Sequence, residues 1–209
     1  MRLPGLYAVL DADVAAAHGW TVPDLARAVL SGGARLLQVR AKRASSSALL
    51  TLCEAVVRAA EPAGALVIVN DRADVARFCG AAGVHVGQDD LPPEAVRRVL
   101  GDDALVGWST HTPEQVEAAR DLPIAYLAVG PVFATGTKDT GYLPVGLDLV
   151  REAAARSSGR PMVAIGGITL EAAPRVAAAG AASLAVIGDL FTGGDPAARV
   201  RAYLDALGG

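Results

Sequence analysis

Gln38, Arg40 and Lys42 stand two residues apart in the run Gln38-Val39-Arg40-Ala41-Lys42. On an extended segment that spacing turns all three side chains to one face, and two cations beside an amide invite an anion. A basic strand end left in water is the plainer alternative, but Gln, Arg and Lys on an interior face would be costly without a partner. Asp71 and Asp90 offer carboxylate oxygens with no Cys or His at metal-ligand spacing around them. Such donors suit Mg²⁺, which takes one or two carboxylates and completes its shell with water and phosphate oxygens. An aspartate behind a strand also serves as a helix cap, and Asp71 precedes a helical stretch starting near Arg72.

Thr135-Gly136-Thr137-Lys138 gathers two hydroxyls and a cation in one loop able to close over phosphate. Gly166-Gly167, and Gly188 behind Ile187, let backbone N–H groups approach an anion. His111, beside Ser109, can serve as a general acid or base, whereas His85 between Val84 and Val86 reads as structural. No Ser/His/Asp or Cys/His nucleophile arrangement is evident, which argues against covalent hydrolysis.

These residues need elements to carry them. Apolar runs at Leu6–Asp11, Ala34–Arg40, Ala65–Asp71, Gly83–Gln88, Leu105–Thr110, Ile124–Gly130, Pro161–Gly167 and Ser183–Gly188 read as strands. Several, such as Leu66-Val67-Ile68-Val69, are continuously apolar, as a parallel sheet covered on both faces requires. Helix signals fall between them. Thr112-Pro113-Glu114-Gln115 combines an N-cap, a first-turn proline and a capping-box glutamine, and Asp195-Pro196 repeats the cap and proline. Eight β-then-α units in 209 residues predict a single (β/α)₈ TIM barrel over residues 1–209, with an open doubly wound sheet as the alternative. In a barrel, Asp11, Gln38, Arg40, Lys42, Asn70, Asp71, Gln88, Asp90, Ser109 and His111 fall at or beyond strand C-termini and converge on one mouth.

Composition fits that fold: the chain is 52% apolar but 4% aromatic, so Ala, Val, Leu and Ile must fill its interior. The net charge of −3, with 19 basic and 22 acidic residues interspersed, gives no electrostatic footprint for nucleic acid or an anionic membrane. The apolar start Leu6–Leu10 is too short to span a bilayer or act as a secretory signal, which predicts a cytoplasmic protein. Cys53 and Cys79 sit in helical apolar patterns and read as core residues.

The ordered motifs Gln38-Val39-Arg40-Ala41-Lys42, Asn70-Asp71-Arg72, Gly83 to Pro92, Ser109-Thr110-His111, Thr135 to Lys138 and Ile165-Gly166-Gly167-Ile168 together resemble the thiamine-phosphate synthase family. The resemblance implies a Mg²⁺-dependent transferase of thiamine biosynthesis that joins hydroxymethylpyrimidine diphosphate to thiazole phosphate and releases pyrophosphate. It implies that Gln38, Arg40, Lys42, Asn70, Ser109 and Lys138 hold the pyrimidine diphosphate, with Arg40, Ser109 and Lys138 as catalytic groups. It implies that Asp71 and Asp90 carry Mg²⁺, and that Thr135, Thr137, Gly167, Ile187 and Gly188 hold the thiazole phosphate.

Three positions depart from the family pattern: Ala41 stands where Glu is frequent, Gly136 where Pro is frequent and Gly188 where Ser is usual. The last removes a hydroxyl and leaves backbone N–H groups to serve the phosphate. A thiazole tautomerase of the same fold, or a non-catalytic barrel that binds thiamine intermediates, are the alternatives. The expected partners are small phosphorylated molecules, and a homo-oligomer is compatible with the sequence.

Overall fold

The computed structural model describes residues 2–136 and 141–208. Its strands are β1 (Leu6–Asp11), β2 (Leu36–Arg40), β3 (Leu66–Asn70), β4 (Gly83–Val86), β5 (Leu105–Thr110), β6 (Tyr126–Val129), β7 (Met162–Ile165) and β8 (Ser183–Val186). Each pairs in parallel with the next, and β8 pairs with β1, so the sheet closes and the open-sheet alternative falls. Between them lie α1 (Ala12–Ala17), α2 (Val22–Ser31), α3 (Ser46–Ala60), α4 (Ala73–Cys79), α5 (Pro93–Leu100), α6 (Pro113–Ala118), α7 (Gly146–Arg156), α8 (Ala173–Ala178) and α9 (Pro196–Ala206).

Alternation along the strands sorts side chains into two cores. In β1, Leu6, Ala8 and Leu10 face the helices, while Tyr7 and Val9 face the barrel axis. The axial core is small: Leu36, Ile68, Tyr126, Ala128, Val163 and Ala185 contribute to it, with Leu3 from the N-terminal segment. Because Gln38 and Arg40 alternate with Leu37 and Val39, they share the axial face of Leu36. Ser109 and His85 reach the axis by the same period-two rule, from strands whose other faces bury Val106, Trp108, Val84 and Val86 against the helices.

Helix starts follow the expected caps and prolines, although the Gln115 side chain accepts from the His111 N–H at 2.7 Å and not from Thr112 as a capping box would have it. Thr112 accepts from the Gln115 N–H and Pro113 opens α6, while Asp195 accepts from the Ala198 N–H at 3.0 Å and Pro196 opens α9. Five strands, β3, β4, β6, β7 and β8, stop one or two residues short of the ends that their apolar runs suggest. The stretch Pro161–Gly167 leaves the sheet at Ile165 because Gly166 and Gly167 take φ of 103° and 63°, outside strand geometry. The stretch Gly83–Gln88 ends at Val86, where a tight turn begins with the Asp90 N–H donating to the Gly87 carbonyl at 3.2 Å. Cys53 and Cys79 are buried and free, as read from the sequence. Among the described residues no helix is long and apolar enough to cross a membrane.

Candidate active site

The C-terminal ends of the strands open into a cavity of about 860 Å³, including its mouth, that reaches down to Tyr7 and Val9. Gln38, Arg40, Lys42 and Asn70 line one side, and Asp71, Asp90 and Ser109 line the next. A second cavity of about 770 Å³ adjoins it, lined by Gly167, Gly188 and Asp189. Thr135, Ile165, Gly166, Ala185 and Ile187 belong to both and form the wall between them. Thr137 and Lys138 lie outside the described residues.

The cations are held by carboxylates. Barrel register places Asp11 opposite Arg40, and the Arg40 guanidinium donates to Asp11 Oδ2. Asp11 is 3% exposed, and its other oxygen accepts from the Asp13 and Val14 N–H groups at 3.0 and 3.1 Å, capping α1. One residue thus fixes both the first helix and the orientation of Arg40. Lys42 Nζ lies 3.2 Å from Asp71 Oδ2.

Asp71 is not a helix cap: α4 starts behind Arg72 with no side-chain cap. Its backbone instead adopts φ 63°, uncommon for a side-chain-bearing residue, and its N–H donates to the His85 carbonyl at 2.8 Å. That strained turn aims its carboxylate at Asp90. Burial first, and then the charge of Asp90, push the Asp71 carboxyl above the ordinary aspartate range, with Lys42 opposing. Asp90 is held from behind, its Oδ2 accepting from the Gly87 N–H at 2.8 Å. Among the described mouth residues two cations, Arg40 and Lys42, face three carboxylates, Asp11, Asp71 and Asp90. A diphosphate would not settle there without further positive charge.

The second cavity is framed by backbone. A Cβ on Gly167 would lie 2.5 Å from the Ala134 carbonyl oxygen and 2.9 Å from Phe133 Cβ, so the loop beyond β7 is pressed against the loop beyond β6. Asp189 braces the far side. It accepts from the Leu170 N–H behind β7, from Arg199 and from the Tyr203 hydroxyl of α9, tying both glycine loops to one helix.

Some residues differ from the sequence reading. Gln88 is exposed and donates to the Ser109 carbonyl at 2.6 Å rather than lining the cavity. His111 lines the mouth, its ring stacked on Tyr142 at 4.1 Å and its Nδ1 against the Gly130 carbonyl oxygen. His85 is more than a structural strand residue: it lines the cavity, with Nε2 2.9 Å from Ser109 Oγ and Nδ1 3.1 Å from Tyr126 Oη. Sequence spacing gives no signal for Asp189, Tyr7 or Tyr126, because each acquires its partners only through barrel closure and helix docking.

Comparison with known proteins agrees with this geometry. The profile of the thiamine monophosphate synthase family matches residues 6–190. The thiamine-phosphate synthase of Koribacter versatilis is 44% identical over 209 residues, covering 99% of this chain and 97% of that one. That of Albidiferax ferrireducens is 40% identical over 210 residues, covering 99% and 95%. Among solved structures, the thiamine phosphate pyrophosphorylase from Pyrococcus furiosus superposes with a TM-score of 0.88 at 27% identity, covering 98% of this chain and 95% of that one.

Proposed function

The chain belongs to the thiamine monophosphate synthase family, and from that premise we propose that its mouth joins hydroxymethylpyrimidine diphosphate to thiazole phosphate, giving thiamine phosphate and pyrophosphate. The observation that carries the proposal is the pair of adjoining cavities with a common wall at Thr135, Gly166 and Ile187. One has cations and facing carboxylates suited to a diphosphate together with a divalent cation. The other has glycine backbone suited to a monophosphate.

In the reaction the bond between the pyrimidine methylene carbon and the diphosphate oxygen breaks, its electron pair leaving with pyrophosphate. The lone pair of the thiazole ring nitrogen forms the new bond to that carbon, and the ring becomes a thiazolium. No proton need be removed in this step, so it asks for no general base. Gln38, Asn70 and Ser109 hold the pyrimidine diphosphate, while Arg40, Lys42 and Lys138 oppose the charge that grows on its leaving group. Thr135 and Thr137, with the backbone at Gly167, Ile187 and Gly188, hold the thiazole phosphate so that its nitrogen lies near the methylene.

Asp71 and Asp90 would hold Mg²⁺. Supporting this are two hard oxygen donors behind successive strands, with the charge of Asp90 helping to hold the Asp71 carboxyl above its ordinary range, and a mouth whose described charges are short of cations. The bound ion would supply neutralisation of the departing pyrophosphate. A thiazole tautomerase or an intermediate sensor would have no use for facing carboxylates beside paired cations. The test is direct: the purified protein, given both phosphorylated substrates and Mg²⁺, forms thiamine phosphate and pyrophosphate in equal amounts. Absence of both products overturns the proposal.

A further inference from the structure

Beneath the substrate cavity a line of polar groups crosses the barrel from β2 to β5. Gln38 Nε2 donates to Tyr7 Oη at 2.9 Å, and Tyr7 Oη lies 3.0 Å from Tyr126 Oη. Tyr126 Oη lies 3.1 Å from His85 Nδ1, and His85 Nε2 lies 2.9 Å from Ser109 Oγ. Both ends are groups assigned above to the pyrimidine diphosphate; the middle consists of residues with no assigned role. Tyr7 is 1% exposed and Tyr126 is fully buried.

The line has a direction. Each phenol carries one hydrogen. Tyr7 already accepts from the Gln38 amide, so its own hydrogen goes to Tyr126. The reverse order would leave the Tyr7 hydrogen without an acceptor in this chain of groups, on a side chain that is almost wholly buried. Tyr126 then donates to His85 Nδ1, which must be unprotonated, and the ring hydrogen sits on Nε2 and is donated to Ser109 Oγ. Ser109, having accepted from inside the barrel, has its hydroxyl hydrogen left for the mouth. Burial pushes both phenols above their ordinary range and so keeps them neutral donors.

The surroundings are shaped for this contact. A Cβ on Gly107 would lie 2.2 Å from Tyr126 Cζ and 2.4 Å from His85 Nδ1, so only glycine lets the two rings meet there. The His85 and Tyr126 rings stack with centroids 5.6 Å apart, and Tyr7 meets Tyr126 edge-on at 6.1 Å.

We propose that Gln38, Tyr7, Tyr126 and His85 form a one-way hydrogen-bond relay that fixes His85 as the Nε2–H tautomer and presents the Ser109 hydroxyl hydrogen to an acceptor atom of the pyrimidine diphosphate. Tyr7, Tyr126 and His85 are then positioning residues acting through Ser109 and Gln38. The ligand named here rests on the synthase reading; the relay and its direction do not.

The test has two arms. The chain has three histidines, and long-range ¹H–¹⁵N correlation of their rings in the full-length protein, with His85→Gln to identify the signal, reads the tautomer without substrate. The expected result is Nε2–H for His85, lost to a mixture in Tyr126→Phe; a Nδ1–H ring in the unaltered protein overturns the relay. In the second arm, Tyr126→Phe and His85→Leu lower kcat/KM for the pyrimidine diphosphate about tenfold, the effect of one misdirected buried hydrogen bond, and leave KM for thiazole phosphate within about twofold. His85→Gln recovers most of the loss, because its amide can still donate towards Ser109. Equal losses for both substrates, or no difference between Gln and Leu at position 85, overturn the positioning role. Failure of the unaltered protein to make thiamine phosphate would remove the ligand assignment while the ring spectrum still decides the relay.

Discussion

Replacing Gly167 with alanine tests whether the seam between the β6 and β7 loops sets the grip on thiazole phosphate. Two costs arise from the geometry. The residue sits at φ 63°, where a Cβ costs about 1–2 kcal/mol. The new methyl would also stand 2.5 Å from the Ala134 carbonyl oxygen, where Cβ contacts below 3.0 Å are essentially never found, so that carbonyl must recede by at least 0.5 Å. Overpacking of this kind costs about 1–3 kcal/mol. Together they amount to about 2–5 kcal/mol, and for a chain of this size the thermal midpoint should fall by about 4–20 °C.

The same displacement carries Thr135 away from the wall it forms between the cavities. Losing about 1.4 kcal/mol of phosphate binding is a tenfold change, so KM for thiazole phosphate should rise about tenfold or more. KM for pyrimidine diphosphate should stay within about twofold. Steady-state kinetics with each substrate varied in turn, alongside a melting curve, separates the two quantities. A variant that melts lower but keeps its KM for thiazole phosphate would refute the idea that this seam shapes the phosphate site.

Mg²⁺ at about 100 times its Kd should stabilise the protein by about 2.7 kcal/mol, or about 5–11 °C in a thermal melt. Asp71→Asn combined with Asp90→Asn should abolish that response without lowering the metal-free midpoint, since burial and the charge of Asp90 already disfavour the ionised form of Asp71. Asp11→Ala removes a helix cap and leaves the mostly buried Arg40 unpaired, so it should cost about 3–5 kcal/mol in chemical denaturation. Asp11→Asn keeps the cap and should lose less.

Much of this site is written in local spacing. The period-two placement of Gln38 and Arg40 fixes their face once the strand is known, and the apolar neighbours of β2 make the strand plain. Thr112, Pro113 and Asp195 mark helix starts that the structure reproduces. Strand ends are less legible, because the chain leaves the barrel where glycine φ values or a turn dictate rather than where apolar residues stop, as at Gly166 and Gly87. What spacing cannot carry is register. Asp11 meets Arg40, and Tyr126 meets His85, across strand pairs whose stagger depends on closing the whole barrel. His85 reads as a structural strand histidine for that reason: both partners of its ring lie on other strands.

Leu3, Leu36 and Ile68 seal the barrel below the two tyrosines, so the deep compartment is a cul-de-sac. Everything that enters must come back through the same doorway at the strand C-termini. Whatever is seated in the compartment has to arrive ahead of any neighbour that covers it, and has to leave on the side it entered. A single molecule long enough to reach from Arg40 to the glycines beyond β7 would stopper both compartments together.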